Sequence, residues 1–145
     1  MLIVYPATFY YTPDNKVKYF VHFPNFEDSV IEGDTITEVL EKASSYLGTT
    51  LANLVEHGKE LPEPLEVTAL DLTRDDPFAD DSGFLNEADL TKSFVSLVSV
   101  DLKDYLDSDK PIKKTLTIPK WVDAIGKKKK INFSQILTEA ILRLK

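Results

Sequence analysis

The sequence predicts an α/β chain of the α+β kind: a mostly antiparallel sheet with one long packed helix, then a small basic module of strand, helix and helix. Three observations carry this. Two β-rich stretches flank the turn Thr12-Pro13-Asp14-Asn15, a capping signal opens a long apolar stripe at Thr35, and the charge changes sign near residue 110.

The first stretch, Leu2 to Tyr11, is rich in β-branched and aromatic residues, and Val17, Tyr19, Val21 and Phe23 alternate in the second, so the pair reads as an antiparallel hairpin. A third short strand is expected near Ser29 to Glu32. Thr35-Ile36-Thr37-Glu38 matches a capping box, in which the threonine oxygen accepts an orphan backbone N–H and the glutamate reaches back to the cap residue. Ile36, Val39, Leu40, Ala43, Leu47, Leu51 and Leu54 form the stripe that follows, and Gly58 supplies a stop. A strand is expected at Leu65 to Leu70. Asp71 to Asn86, with five aspartates and little periodicity, reads as loop. Phe94 to Leu102 reads as a strand pairing back onto the first sheet, and residues 107–111 as a linker.

In the last stretch, Lys113 to Ile118 is a short alternating strand, and Pro119 suits the first turn of a helix bearing Trp121, Val122 and Ile125 and ending near Gly126. Asn132 can cap a second helix carrying Ile136, Leu137, Ala140, Ile141 and Leu144 on one side.

The 145 residues suffice for one domain plus a small module, and 43% hydrophobic content excludes a globally disordered chain. With no cysteine there are no disulfides, thiolate metal sites or cysteine nucleophiles, which fits a reducing compartment. No run approaches about eighteen apolar residues, and Pro6, Pro13, Asp14, Lys16 and Lys18 occupy the place of a signal peptide, so the chain reads as soluble, unexported and cytoplasmic. The net charge of −7 conceals a division. Residues 110–145 hold ten Lys/Arg against two acids (+8), and residues 1–109 hold seven against 22 (−15). A cationic module suits a polyanion; an acidic body repels nucleic acid and suits a basic protein surface.

A 36-residue module with one strand cannot satisfy that strand's backbone or bury two helix faces alone, so it needs a second copy. Pairing two strands antiparallel would turn Leu116 and Ile118 inward, with Trp121, Ile125, Ile136, Leu137 and Ile141 completing a shared core. Lys113, Thr115 and Thr117 would project outward on a two-stranded ribbon of the kind that enters the DNA major groove and meets base edges. Asn132 and Ser134, at a helix start, suit a phosphate, and Lys114, Lys127 and Lys128 add attraction to the backbone.

These residues resemble the ribbon-helix-helix family of dimeric DNA-binding repressors, with Lys-Thr-Leu-Thr-Ile-Pro at Lys114 to Pro119 and Ile-Asn-Phe-Ser-Gln at Ile131 to Gln135. Lys114 stands where that family usually has an apolar residue. The body resembles the HicB antitoxins through Tyr5-Pro6-Ala7, Tyr19, Phe23-Pro24, Gly33-Asp34-Thr35, Glu38, Ala43, and Gly58 with Leu61-Pro62-Glu63-Pro64. Asn25-Phe26-Glu27-Asp28-Ser29 departs from the family's common Asp-Leu-Pro-Gly-Cys. The resemblance implies a partial RNase H-like, toxin-binding domain at 1–106 and a ribbon-helix-helix DNA-binding and dimerisation domain at 112–145. It also implies a HicA-type mRNA interferase toxin as partner, operator DNA as the target of autorepression, and a higher hetero-oligomer with toxin. The toxin-contacting residues within 1–106 are unassigned.

Two other classes compete. A metal-dependent nuclease would need Asp71, Asp75, Asp76, Asp80 and Asp81 to hold metal ions, yet they crowd one irregular segment, whereas two-metal sites draw carboxylates from several rigid elements. A ligand-sensing repressor would bind a metal or metabolite in its N-terminal domain; the absence of Cys and the presence of only His22 and His57, with no partner at ligand spacing, disfavour a nickel or zinc sensor. Ser44-Ser45 and Ser82-Gly83 lack a nucleophile-elbow context, and there is no phosphate loop. The expectation is a chain with no catalytic residue, metal or cofactor.

Overall fold

A computed structural model describes residues 1–80, 83–106 and 112–144. The chain divides into two compact units, Met1–Asp109 and Lys110–Lys145. The expected linker at 107–111 lies outside the described residues, as does Asp81.

The first unit is built on a four-stranded antiparallel sheet in the order β3-β2-β1-β4. The long strand β1 (Leu2–Tyr11) is central, with β2 (Tyr19–His22) on one side and β4 (Phe94–Asp101) on the other. The hairpin and the return of the last strand match the sequence reading, while β3 occupies Ile31–Gly33, slightly later than expected. Pro6 sits inside a central strand, where a missing N–H ordinarily breaks a ladder. Here it does not. The bond from Leu102 N–H to the Met1 carbonyl (3.0 Å) sets the phase in which the odd residues of β1 bond β4, so Pro6 faces the β2 side. The β2 pairing begins only at Thr8↔His22.

Helix α1 (Ile36–Glu56) covers one face of the sheet. Its Val39, Ala43, Leu47 and Leu51 are fully buried in a core with Tyr5, Ala7, Phe9, Val21, Ile31, Val98 and Val100. The expected stripe was too wide, since Ile36 and Leu40 are exposed and Gly48 and Ala52 are buried in their place. Thr35 Oγ1 accepts the Glu38 N–H at 3.1 Å, but Glu38 reaches past the cap to the Asp34 N–H at 2.9 Å. The adjacent Lys42 ammonium and that amide hold the Glu38 carboxyl below its ordinary range. Gly58, at φ 67°, ends the helix: its own N–H bonds the Val55 carbonyl and the Lys59 N–H bonds Leu54. That is a Schellman closure, and it favours glycine. Thr35→Ala is expected to lower the unfolding free energy by about 1 kcal/mol, read as a reduced urea midpoint with unchanged slope.

The segment between α1 and β4 overturns two expectations. The strand expected at 65–70 is a single 3-10 turn, Val67–Ala69. The preceding prolines lack N–H donors, and the segment is held by side chains instead: Asn25 donates to the Glu63 carbonyl (2.8 Å) and accepts the Leu65 N–H (3.2 Å), while the Tyr5 hydroxyl donates to Pro62. The aspartate-rich segment expected as loop contains the short helix α2 (Phe84–Glu87) and packs on the sheet. Buried Phe84 lies 5.3 Å from the Tyr10 ring, 5.4 Å from Phe20 and 4.7 Å from Phe78. The Tyr10 hydroxyl donates to the Leu72 carbonyl at 2.7 Å, and burial pushes its pKa up to about 12.

The second unit contains α3 (Lys120–Lys128) and α4 (Phe133–Leu142). Pro119 takes the cap position rather than the first turn, and α3 runs two residues past the stop expected at Gly126. Asn132 caps α4 as expected, its Oδ1 accepting the Gln135 N–H at 3.1 Å. The strand expected over 113–118 is not formed: residues 112–119 carry no regular hydrogen-bonded structure in the single chain. A strand requires a neighbour, and a lone copy of the segment has none to pair with among the described residues.

Candidate nucleic-acid and dimerisation site

Gly126 is the only buried residue among those described in the second unit. Leu116, Ile118, Trp121, Ile125, Ile136 and Ile141 are 41% to 68% exposed, and Leu137 is half-buried. A unit of this size with so many uncovered aliphatic and aromatic side chains has an unfinished core.

The apolar residues gather around two adjoining hollows. Leu116, Ile118, Phe133 and Leu137 line both, Ile125 and Ile136 line one, and Ile141 the other. Trp121, expected in the same core, lines neither and is the most exposed of the set. Lys114 lies at one hollow with Leu116 and Ile118, the side that strand alternation assigns to the interior; Lys113, Thr115 and Thr117 line neither. Sequence reasoning missed Phe133. Its ring packs on Gly126 so closely that an added Cβ there would lie 2.5 Å from Phe133 Cζ. A glycine inside a helix, at about 1 kcal/mol against alanine, was the available signal that something large approaches.

The polar candidates cluster at the junction of the two helices. Lys127, in the last turn of α3, forms an ion pair with Asp123 (2.9 Å), and Lys128 is the last residue of the helix. Lys130 has a left-handed backbone (φ 52°), which turns the chain into α4. Asn132 Oδ1 is engaged by its own helix, and Ser134 lies in the first turn of α4, where backbone N–H groups lack helical acceptors, and also lines the hollow that holds Lys114 and Ile141.

In the first unit the aspartates serve as turn builders. Asp71 accepts from Thr73 N (2.8 Å), Thr73 Oγ1 (2.5 Å) and Arg74 N (3.1 Å), which together hold its carboxyl below the ordinary range. Asp75 accepts from Asp71 N (2.7 Å), and Asp76 from Phe78 N (2.8 Å). Among the described residues no group of three or more His, Asp or Glu could hold a metal ion. His22 is buried with Nδ1 2.7 Å from the Ser29 carbonyl, a bond that requires the proton on Nδ1, and exposed His57 bonds the Asn53 carbonyl at 2.8 Å. No described helix is long and apolar enough to cross a membrane.

No protein-family model matches the chain, and a search of curated proteins finds no match. Two solved structures are similar along nearly all of it. One is a toxin-antitoxin complex from Streptococcus pneumoniae, with 51% identity over 100% of both chains and a TM-score of 0.68. The other, the antitoxin HicB of Burkholderia pseudomallei, has 22% identity over 97% of both chains and a TM-score of 0.53, a likeness of fold. Half of all positions are shared end to end with a member of a toxin-antitoxin pair, and the mixed α/β fold is that of HicB. The chain belongs to the HicB family of antitoxins.

Proposed function

We propose that this chain neutralises a small basic HicA-type ribonuclease toxin through residues 1–106, a partial RNase H-like domain, and represses its own operon through residues 112–145, a ribbon-helix-helix domain that dimerises on operator DNA. The observation that carries the reading is the second unit itself. Ten Lys/Arg and an uncovered apolar surface share 36 residues that bury only Gly126 among those described. A second copy would cover Leu116, Ile118, Phe133 and Leu137 and give residues 113–118 an antiparallel partner. Such a ribbon presents Lys113, Thr115 and Thr117 to base edges. Ser134, the Asn132 amide, Lys127 and Lys128 would meet phosphates, which position the protein without reading sequence, whereas Lys114, at the hollow with Leu116 and Ile118, is left out of that set.

The −15 body gives the toxin half of the reading its physical basis: it competes with RNA for a cationic protein surface, and occlusion needs no catalytic group. The chain acts as a cytoplasmic protein in this reading.

Two measurements test it. In the first, the small basic protein encoded beside this chain is retained by the full chain in a pull-down that weakens with salt; no retention refutes toxin binding. In the second, Thr117→Ala lowers preference for operator over scrambled duplex by about 1 to 3 kcal/mol while sparing nonspecific binding. Ser134→Ala weakens both duplexes evenly. The reverse pattern refutes the assigned orientation of the ribbon.

A further inference from the structure

The two edges of the first sheet are treated differently by the chain. The β3 edge is three residues long, with Glu32 exposed and its carbonyl taken by the Lys42 ammonium at 3.1 Å, so it is short, charged and covered. The β4 edge is eight residues long, and Phe94-Val95-Ser96-Leu97-Val98-Ser99-Val100 contains no Lys, Arg or Pro. Its single ion, Asp101, is tied to the amino terminus at 2.9 Å. Phe94 is 38% and Leu97 53% exposed. Long, flat, apolar edges invite pairing, and chains ordinarily blunt them with charge or proline.

The pairing phase says which backbone groups are offered. Leu102, Val100, Val98, Ser96 and Phe94 bond inward to β1, so Val95, Leu97, Ser99 and Asp101 point their N–H and C=O groups outward. Ser44 Oγ donates to the Ser99 carbonyl at 2.7 Å, while Ser96 Oγ reaches the Leu97 carbonyl at only 3.3 Å. The open stretch is therefore centred on Val95 and Leu97, beside the exposed ring of Phe94.

We infer that the β4 edge is where the partner of this antitoxin docks, by adding an extended segment of a basic protein as a fifth strand; the inference rests on the toxin-binding reading above and names its surface. Charge decides the occupant. Pairing β4 with a second β4 would bring two bodies of −15 to a strand spacing of about 4.8 Å, against strong repulsion, whereas a cationic partner gains from the same field. Backbone bonds would supply affinity, and Phe94 and Leu97 would offer apolar contacts to side chains of the added strand.

Amide hydrogen exchange on the full chain tests this, with the small basic protein encoded beside it as probe. On binding, the Val95, Leu97 and Ser99 amides should slow by about a hundredfold or more, while Val98 and Val100, already bonded to β1, serve as internal references. Leu97→Pro removes one outward donor without touching a β1 bond and should weaken binding by about tenfold; Leu97→Lys, which keeps the backbone, should do likewise by repelling a cationic strand. If the probe binds, the three amides stay fast and the lysine variant binds within about twofold, the edge assignment is overturned and toxin binding stands. If the wild-type chain does not bind the probe, the toxin reading falls and takes this with it. Amides already slow in the free chain, and slower with rising concentration, would overturn it in favour of a second copy.

Discussion

Phe133→Ala is expected to leave the full chain monomeric at concentrations where the proposed reading has the parent pair with a second copy. Phe133 lines both hollows of the second unit and remains 42% exposed in the single chain, so much of its ring is left for a partner copy to cover. Truncating a central aromatic of this kind costs about 3 kcal/mol, roughly a hundredfold in dimer affinity. Sedimentation velocity across a dilution series reads the change directly. Operator binding should fall with it, because a lone copy cannot build a two-stranded ribbon, whereas retention of the basic partner by the acidic body should persist. A dimer of parental affinity would place the contact between copies elsewhere than these hollows.

Phe84→Ala is expected to destabilise the first unit by about 3 kcal/mol and to release the aspartate-rich segment from the sheet. The Phe84 ring is 4% exposed and meets Tyr10, Phe20 and Phe78 within 5.4 Å. The packing it loses is thus shared by three aromatic neighbours. Urea unfolding gives the energy. Exchange of the Asn86, Glu87 and Ala88 amides, each bonded to Gly83 or Phe84 carbonyls, gives the local opening. Unchanged protection there would mean that the Tyr10 hydroxyl bonds, not the ring, hold the segment.

Features written in adjacent residues were legible in the sequence. The hairpin, the Thr35 cap, the Gly58 stop and the Asn132 cap depend on groups within a few positions of one another, where residue type and spacing determine the bond. The segment from 62 to 86 was not legible, because its order comes from distant partners: Asn25 for the backbone at 63 and 65, Tyr10 for the carbonyl of 72, Phe20 for the rings of 78 and 84. None of those pairings leaves a period in the sequence. The apolar stripe of α1 was read too widely because residues such as Leu40 fit a three-and-four spacing equally well on the buried and flanking sides of a helix. In the second unit, the alternation of Leu116 and Ile118 with Thr115 and Thr117 was legible as a pattern, but a hydrogen-bonded strand needs a second strand, and among the described residues none pairs with this segment. Phe133 escaped notice because the first position of a helix is ordinarily weighed for capping, not for packing.

The pairing of β1 with β4 joins Phe9 to Phe94 at its nearest and Leu2 to Asp101 at its farthest. The central strand is therefore made first and completed last. At roughly 5 to 20 residues per second, the ribosome takes several seconds to deliver the second half of that pair, and all that time β1 has only its short hairpin neighbour. Compact folding of the first unit waits until Asp101 has been made, and such long-range closure is slow relative to helix formation. A reading frame interrupted anywhere before Phe94 would not yield a slightly shortened antitoxin. It would yield a polypeptide whose innermost strand has an open side, and therefore a substrate for aggregation or proteolysis rather than a partner for anything.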